Sequence, residues 1–401
     1  MVGIHADADS FDIHERGTSL IQRRADNETE QTRSVAIDVF RGSVMAAMLF
    51  VDVCGDTVPV LGHSEWHGLK VADLVMPAFL FLMGSSMNLS FRNSSRRKTR
   101  SELLKSGFLR AVRLFFIGVI VQGPWIPTID ASKPYLGLDV DRFRIMGILQ
   151  RIALCYILMM LITVYFRKAG NQVGWVCLCL LVQMSVIAFV TVPGCEDSAS
   201  KYSMECNPEA YVDRLIFGRE HLYKPSLGFD PEGVVSTLGC MLPCLIGYHT
   251  MTSPLRTLRS RITLATGLVL IGEVMVVLGC PLNKALWTPS FSFVTTGAVL
   301  AMYSAVDREN LWSDDNPLRH LGMNAILFFL LSDCCGILRV LIDSFFIQRQ
   351  GARVTLLSWF LESVLRVDEY PSMILLYASL QLAMFLVLMS VLYHKQIFLR
   401  V

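Results

Sequence analysis

Charge is what this sequence has least of. Asp, Glu, Lys and Arg supply only 17% of its 401 residues, hydrophobic types supply 53%, and mean hydropathy is +0.48. A soluble globule devotes about a quarter of its residues to charge. The composition therefore excludes an ordinary cytosolic domain and points to a polytopic membrane protein. A secretory signal is also missing. Residues 1–34 are polar, mixed in charge and without an apolar centre, which predicts a disordered cytosolic leader. There is no P-loop, no glycine-rich dinucleotide fingerprint, no HExxH and no nucleophile elbow. The basic residues flank apolar runs and form no separate stripe, so nucleic acid is not an expected partner. No Cys/His set has zinc spacing. Nine of the eleven cysteines sit inside apolar runs and act as small hydrophobes. Cys195 and Cys206 alone lie in a polar loop, where an oxidising lumen would let them pair.

What is present is a succession of apolar windows about twenty residues long, the length at which a helix crosses the hydrocarbon. Ten are expected: 36–58, 68–91, 108–126, 145–166, 173–192, 233–251, 262–280, 287–305, 321–343 and 372–394. The fold class is thus all-α, a polytopic membrane helical bundle over residues 35–401. Pro77 and Gly84 in the second window, and Pro243 and Gly247 in the sixth, mark span ends and kinks. Lys and Arg gather at Arg92–Arg110, at Arg167-Lys168, at Arg256–Arg261 and in the tail at Lys395 and Arg400. With ten spans these lie on one side, which the positive-inside rule makes cytosolic. Both termini are then cytosolic, and the sequons at Asn27, Asn88 and Asn93 go unused. The link between the first two spans faces the other compartment. So does the longest loop, residues 194–232, where eight acids against four bases read as a solvated acidic loop or a vestibule that attracts cations.

Several residues are too polar for passive spans: Asp52 and Asp56 at the end of the first, Asp73 at the start of the second, Asn88, Gln150 and Arg151, Glu273 and Asp333. A carboxylate within a span costs about 2.5–3.5 kcal/mol on insertion scales, so such groups face a bundle interior or wet cavity and find partners there. Asp38 and Arg41, three apart, can pair on one helix face. His63 stands in the short link at the edge of the hydrocarbon, ten residues before Asp73.

The blocks Arg33–Gly42 (RSVAIDVFRG), His63–Gly68 (HSEWHG), Ala72–Pro77 (ADLVMP), Phe81–Gly84 (FLMG), Arg144–Arg151 (RIMGILQR), Phe229–Gly233 (FDPEG), Leu282–Trp287 (LNKALW) and Gly322–Asn324 (GMN) occur in this order. Together they resemble the heparan-α-glucosaminide N-acetyltransferase family of transmembrane acyltransferases. The resemblance implies an enzyme that takes acetyl-CoA, its co-substrate, from the cytosolic side and acetylates the amine of a terminal glucosamine on the lumenal side. It assigns the essential imidazole to His63 and its carboxylate partners to Asp73 and Asp52. It makes Arg151, Asn283, Lys284 and Asn324 candidates for lining the cavity that binds the coenzyme. It also implies a homodimer, an amino-sugar glycan as acceptor, membrane lipid as surroundings, and a lysosomal or vacuolar membrane.

The chemistry is consistent with that assignment. An imidazole titrating near neutrality can attack the thioester as nucleophile or deprotonate the attacking amine. A carboxylate such as Asp73 or Asp52 can set its tautomer. Two other readings share parts of the pattern: an O-acyltransferase acting on another glycan or lipid, and a solute transporter using the same intramembrane charges.

Overall fold

The computed structural model describes residues 35–94, 99–121, 125–128, 135–138, 144–195, 201–223, 228–252, 255, 257–308, 312–333, 346–349, 352–355, 363–364, 366 and 371–399. The expected leader, residues 1–34, lies outside them. The chain enters as helix α1 (residues 35–54) and continues through a loop and a 3-10 turn, Val71–Leu74, into α2 (Val75–Ser94). Then come α3 (Arg100–Val121), α4 (Ile148–Tyr165), α5 (Ala169–Phe189) and a short rim helix, α6 (Pro208–Phe217). Helices α7 (Val234–Gly239) and α8 (Met241–Thr250) follow, then α9 (Leu258–Val277), α10 (Pro289–Val306), α11 (Pro317–Met323), α12 (Ala325–Asp333) and α13 (Pro371–His394). Two short antiparallel pairs interrupt the helices: β1 (Trp125–Thr128) with β2 (Tyr135–Leu138), and β3 (Phe346–Arg349) with β4 (Ala352–Thr355).

Six helical segments among the described residues are long and apolar enough to span a membrane: Val71–Phe91, α4, α5, α9, α10 and α13. They match six of the ten expected windows. The other four differ for visible reasons. The first window is a helix, but it carries Asp38, Arg41 and Asp52 along its length. The third is helix as far as Val121, but it carries Lys105, Arg110 and Arg113 within its last eighteen residues. The sixth is broken at Cys240 into α7 and α8, and the ninth is broken at Asn324 and passes out of the described residues after Asp333.

Burial sorts the spans into layers. More than half of α2, α4 and α10 is enclosed (56%, 61% and 67%), whereas α5, α9 and α13 are 28%, 22% and 17% enclosed and face outward. The inner helices meet on aromatics: Phe40 of α1, Phe81 of α2 and Tyr303 of α10 pack edge-on or tilted with ring centroids 5.3–6.5 Å apart. Helix α10 is both polar and buried because its hydroxyls bond back to its own carbonyls, as from Thr296 to Ser292 (2.6 Å) and from Ser304 to Leu300 (2.6 Å). Ser292 does something different. Pro243 has no N–H to give the carbonyl of Gly239, four residues earlier, and the Ser292 hydroxyl donates to that carbonyl at 2.7 Å instead. A break in one span is thus completed by its neighbour.

Gly84 and Gly247 mark a crossing, not kinks. A Cβ at Gly84 would lie 2.0 Å from the carbonyl oxygen of Cys244, and one at Gly247 would lie 2.0 Å from that of Phe81. Helices α2 and α8 therefore touch backbone to backbone, a contact that only small residues permit. The Asp38–Arg41 pair forms as expected (2.8 Å), and Arg41 continues to the Ser86 hydroxyl (2.8 Å) and the Gly322 carbonyl (3.2 Å), joining α1, α2 and α11.

Gly84→Ala and Gly247→Ala should each destabilise the purified protein by about 1–3 kcal/mol, read as a lower Tm. Gly267→Ala, in α9 with nothing near its missing Cβ, should leave Tm unchanged or raise it.

Candidate active site

The link between α1 and α2 leaves the last turn of α1 through consecutive turns, with Val58 N–H donating to Cys54 O (2.8 Å) and Gly62 N–H to Val58 O (3.2 Å). Gly62 packs so closely on Gly55 that a Cβ would fall 2.6 Å from the Gly55 carbonyl oxygen. This contact fixes where the next residue, His63, emerges. Downstream the link is held by three other segments. The N–H of Gly68, in the left-handed region (φ 109°), donates to Leu282 O at 2.8 Å. The indole N–H of Trp66 donates to Tyr202 O at 2.7 Å, and its ring stands edge-on against Phe229.

Asp73 lies in the 3-10 turn and is completely buried. One carboxylate oxygen accepts the backbone N–H groups of Lys70 (3.0 Å) and Ser64 (3.2 Å), while the other meets His63 Nδ1 at 2.9 Å. His63 is half exposed. Lys284 closes a triangle: its Nζ is 2.9 Å from His63 Nδ1 and 3.3 Å from Asp73 Oδ1. Burial lowers the affinity of the Lys284 ammonium for its proton, against the opposing attraction of Asp73 and Glu232.

The segment that presents Lys284 is rigid. Its neighbour Asn283, fully buried, accepts the Leu286 N–H on its side-chain oxygen (2.9 Å) and places its amide nitrogen 3.4 Å from His67 Nδ1. Trp287, also fully buried, sits at φ 47°, a strained backbone for a bulky residue. Arg151 of α4 lies over the Trp287 ring at 5.3 Å and donates to Pro231 O (2.5 Å) and to the Ser236 hydroxyl.

Of the residues anticipated from sequence, His63, Asp73 and Lys284 come together, and Asn283 adjoins them. Arg151 stands behind, bracing the 231–236 segment, and does not line an open cavity. Asp52 is exposed in the last turn of α1, and the carboxylate on the His63 ring belongs to Asp73. Asn324 is elsewhere. It holds the chain end, donating to Ile397 O (3.1 Å) and accepting from Leu399 N (3.3 Å). Helix α11 beside it crosses α1 at Gly42, about 18 Å of helix from Cys54.

Among the described acids of the 194–232 loop, Glu205 and Glu220 are exposed as expected, but three others are not. Glu209, Asp213 and Asp230 are each 2% exposed. Arg144 grips Asp230 through two bonds (2.6 and 3.0 Å), also contacts Glu232, and lies over the Tyr223 ring. Burial pushes the Asp230 carboxyl up against the pull of Arg144, and Arg144 itself is held above the ordinary guanidinium range despite its burial. Glu232 is held below the usual range, because Arg144 and Arg151 outweigh the burial that raises it. Glu209 accepts one bond from Gln183 (3.0 Å), and its second oxygen has no hydrogen bond. Burial, with Asp213 adding, pushes it to about 8. Burial, with Asp230 adding, pushes Asp213 to about 7 even though it accepts the Val234 N–H. The bases that offset this cluster, Arg144 and Arg151, are remote in sequence, so only their shared presence in motif blocks pointed to them. Glu209 and Asp213 had no sequence signal beyond their charge. The Cys195–Cys206 disulfide is formed, closing the stretch that presents Tyr202 to Trp66.

Residues 33–194 match a family model described as heparan-alpha-glucosaminide N-acetyltransferase, catalytic. The chain is 30% identical over 376 residues to the heparan-alpha-glucosaminide N-acetyltransferase of Mus musculus, covering 76% of this chain and 55% of that protein. It is 29% identical over 355 residues to the Homo sapiens protein of the same name, covering 74% and 52%. The chain thus spans about half the length of these curated relatives.

Glu209 and Asp213 hold protons more tightly folded than unfolded. Their stabilising contribution is therefore full below about pH 4 and is lost as pH rises through about 7 to 8. The Tm should fall between pH 5 and pH 8, and Glu209→Gln should flatten that fall. An equally steep fall in the variant would mean that Glu209 does not titrate in this range.

Proposed function

We propose that the chain belongs to the heparan-α-glucosaminide N-acetyltransferase family, whose model and relatives it matches, and that it transfers an acetyl group from acetyl-CoA to the amine of a terminal glucosamine, with His63 as the reacting base or nucleophile. The observation that carries the reading is the triangle of His63, Asp73 and Lys284. Nδ1 of His63 lies 2.9 Å from both the Asp73 carboxylate and the Lys284 ammonium, and one nitrogen cannot donate to the first and accept from the second at once. With the proton on Nδ1 and given to Asp73, Nε2 is left with a bare lone pair, the form that attacks a thioester or accepts an ammonium proton. With Lys284 donating to Nδ1, the proton moves to Nε2 and the ring is unreactive there. Asp73 therefore selects the reactive tautomer and stabilises the imidazolium that follows. Lys284, drawn back to Asp73 Oδ1 at 3.3 Å, remains a cation beside the ring and can stabilise an oxyanion forming at the acyl carbon.

Acetyl-CoA supplies an activated acyl group as thioester. Lys284 is the cation at the reacting end, and Asn283 is a polar neighbour buried behind it. Arg261 is less suited to the coenzyme's phosphates, being 3% exposed and paired with Asp307 at 2.5 Å. The disulfide on the stretch that anchors Trp66 supports placing this rim in an oxidising lumen and both termini in the cytosol; a lysosomal or vacuolar membrane is what the family resemblance implies. A homodimer belongs to the same proposal. Glu273 sits exposed in the last two turns of the outer helix α9, and a carboxylate facing lipid within a span is costly, a cost that a second copy would relieve.

Membranes carrying the protein, given labelled acetyl-CoA and glucosamine, should transfer label to the amine. His63→Ala should reduce transfer by about 10²–10⁴-fold. Asp73→Asn should do nearly as much, because its amide would donate to Nδ1 and hold the wrong tautomer. Transfer that survives in His63→Ala would sink the assignment.

A further inference from the structure

At the end of α1 remote from His63, two histidines and an aspartate converge from three places in the chain. Asp315 precedes α11, His320 lies within it, and His394 is the last residue of α13. Their ligand atoms all lie within 4.8 Å of one another. Asp315 Oδ1 is 3.4 Å from His320 Nε2 and 3.5 Å from His394 Nε2. Tetrahedral zinc with bonds of about 2.1 Å sets its ligand atoms about 3.4 Å apart, so these separations match two edges of that coordination figure.

The His320 ring is held ready for such a role. It is 1% exposed, stacks on Tyr393 at 3.9 Å, and bonds through Nδ1 to the Ser390 hydroxyl at 3.0 Å. With the proton on Nδ1 and given to that hydroxyl, the Nε2 lone pair is directed at Asp315 and His394, as metal-binding histidines are oriented by a second partner. The buried Nε2 makes no hydrogen bond of its own. Asp315 and His394 are well exposed, with side chains 76% and 63% accessible, so a hydrated ion can reach the site. The neighbouring cation Arg319 is engaged by Asp314, both at its carbonyl (2.7 Å) and at its carboxylate (2.9 Å).

We propose that Asp315, His320 and His394 form a site for a divalent transition metal of the zinc class, with water completing the coordination. Two imidazoles and one carboxylate suit zinc and disfavour magnesium or calcium, which take oxygen ligands. The ion joins α11 to the end of α13. It acts beside the bonds from Asn324 that hold the chain end at Ile397 and Leu399, fixing the last helix against the helices that cross α1.

The full-length protein, stripped with chelator and titrated with zinc chloride, tests this. It should retain about one zinc per chain after desalting, measured by elemental analysis, and zinc should raise its Tm. Asp315→Asn and His394→Gln alter exposed side chains and spare the buried ring, so both variants should fold. Each should weaken zinc retention at least about tenfold and abolish the rise in Tm. Zinc content in either variant equal to the unmodified protein, or no retention in any of them, would overturn the proposal and leave Asp315 as an ion-pair partner only.

Discussion

The buried carboxylate of Asp73 is the interaction from which the rim of the bundle is organised. A carboxylate at the mouth of a span is tolerable only if its lone pairs are used, and here every partner is also a positioning contact. Two backbone N–H groups, of Ser64 and Lys70, draw the link into a loop around it, the His63 ring is oriented by it, and Lys284 reaches it from the segment between α9 and α10. Removing the charge would release two segments separated by more than two hundred residues.

That second segment is itself held in place by charge. Arg151, leaving α4, spans the Trp287 ring and the Pro231 carbonyl, and the loop it braces carries Asp230 and Glu232 to Arg144. Acids that would repel each other in water are shared between two guanidinium groups within the bundle. Those left over, Glu209 and Asp213, are the ones that hold protons most tightly. The same rim therefore contains a salt-bridged half and a protonated half, an arrangement suited to mildly acidic surroundings.

Much of this was legible beforehand. Apolar windows located α4, α5, α9, α10 and α13 to within a few residues, because a helix in lipid must satisfy its own backbone and declares itself by length alone. His63 and Asp73 were legible as a motif pair. The broken spans were not. Pro243 signalled a lost hydrogen bond, but only Ser292, contributed by another helix, explains why the break is tolerated. Gly84 and Gly247 read as flexible points and are in fact where two backbones touch. The burial of Glu209, Asp213 and Asp230 within the acidic loop was not legible, because the arginines beside them are distant in sequence.

The sequence by itself determined that the chain is a helical bundle with spans long and apolar enough to cross a membrane, which family it resembles, and which imidazole lies in the link between the first two long helices. These follow from local quantities: hydropathy over a window, the spacing of charges, and short motifs in order. Tertiary structure alone decided that Asp73 and not Asp52 holds that imidazole, that Lys284 faces them both while Asn324 ties down the chain end, and that Glu209 and Asp213 are buried. Each of these depends on which distant segment desolvates a polar group and which supplies its partner, and burial and pairing are properties of the assembled bundle.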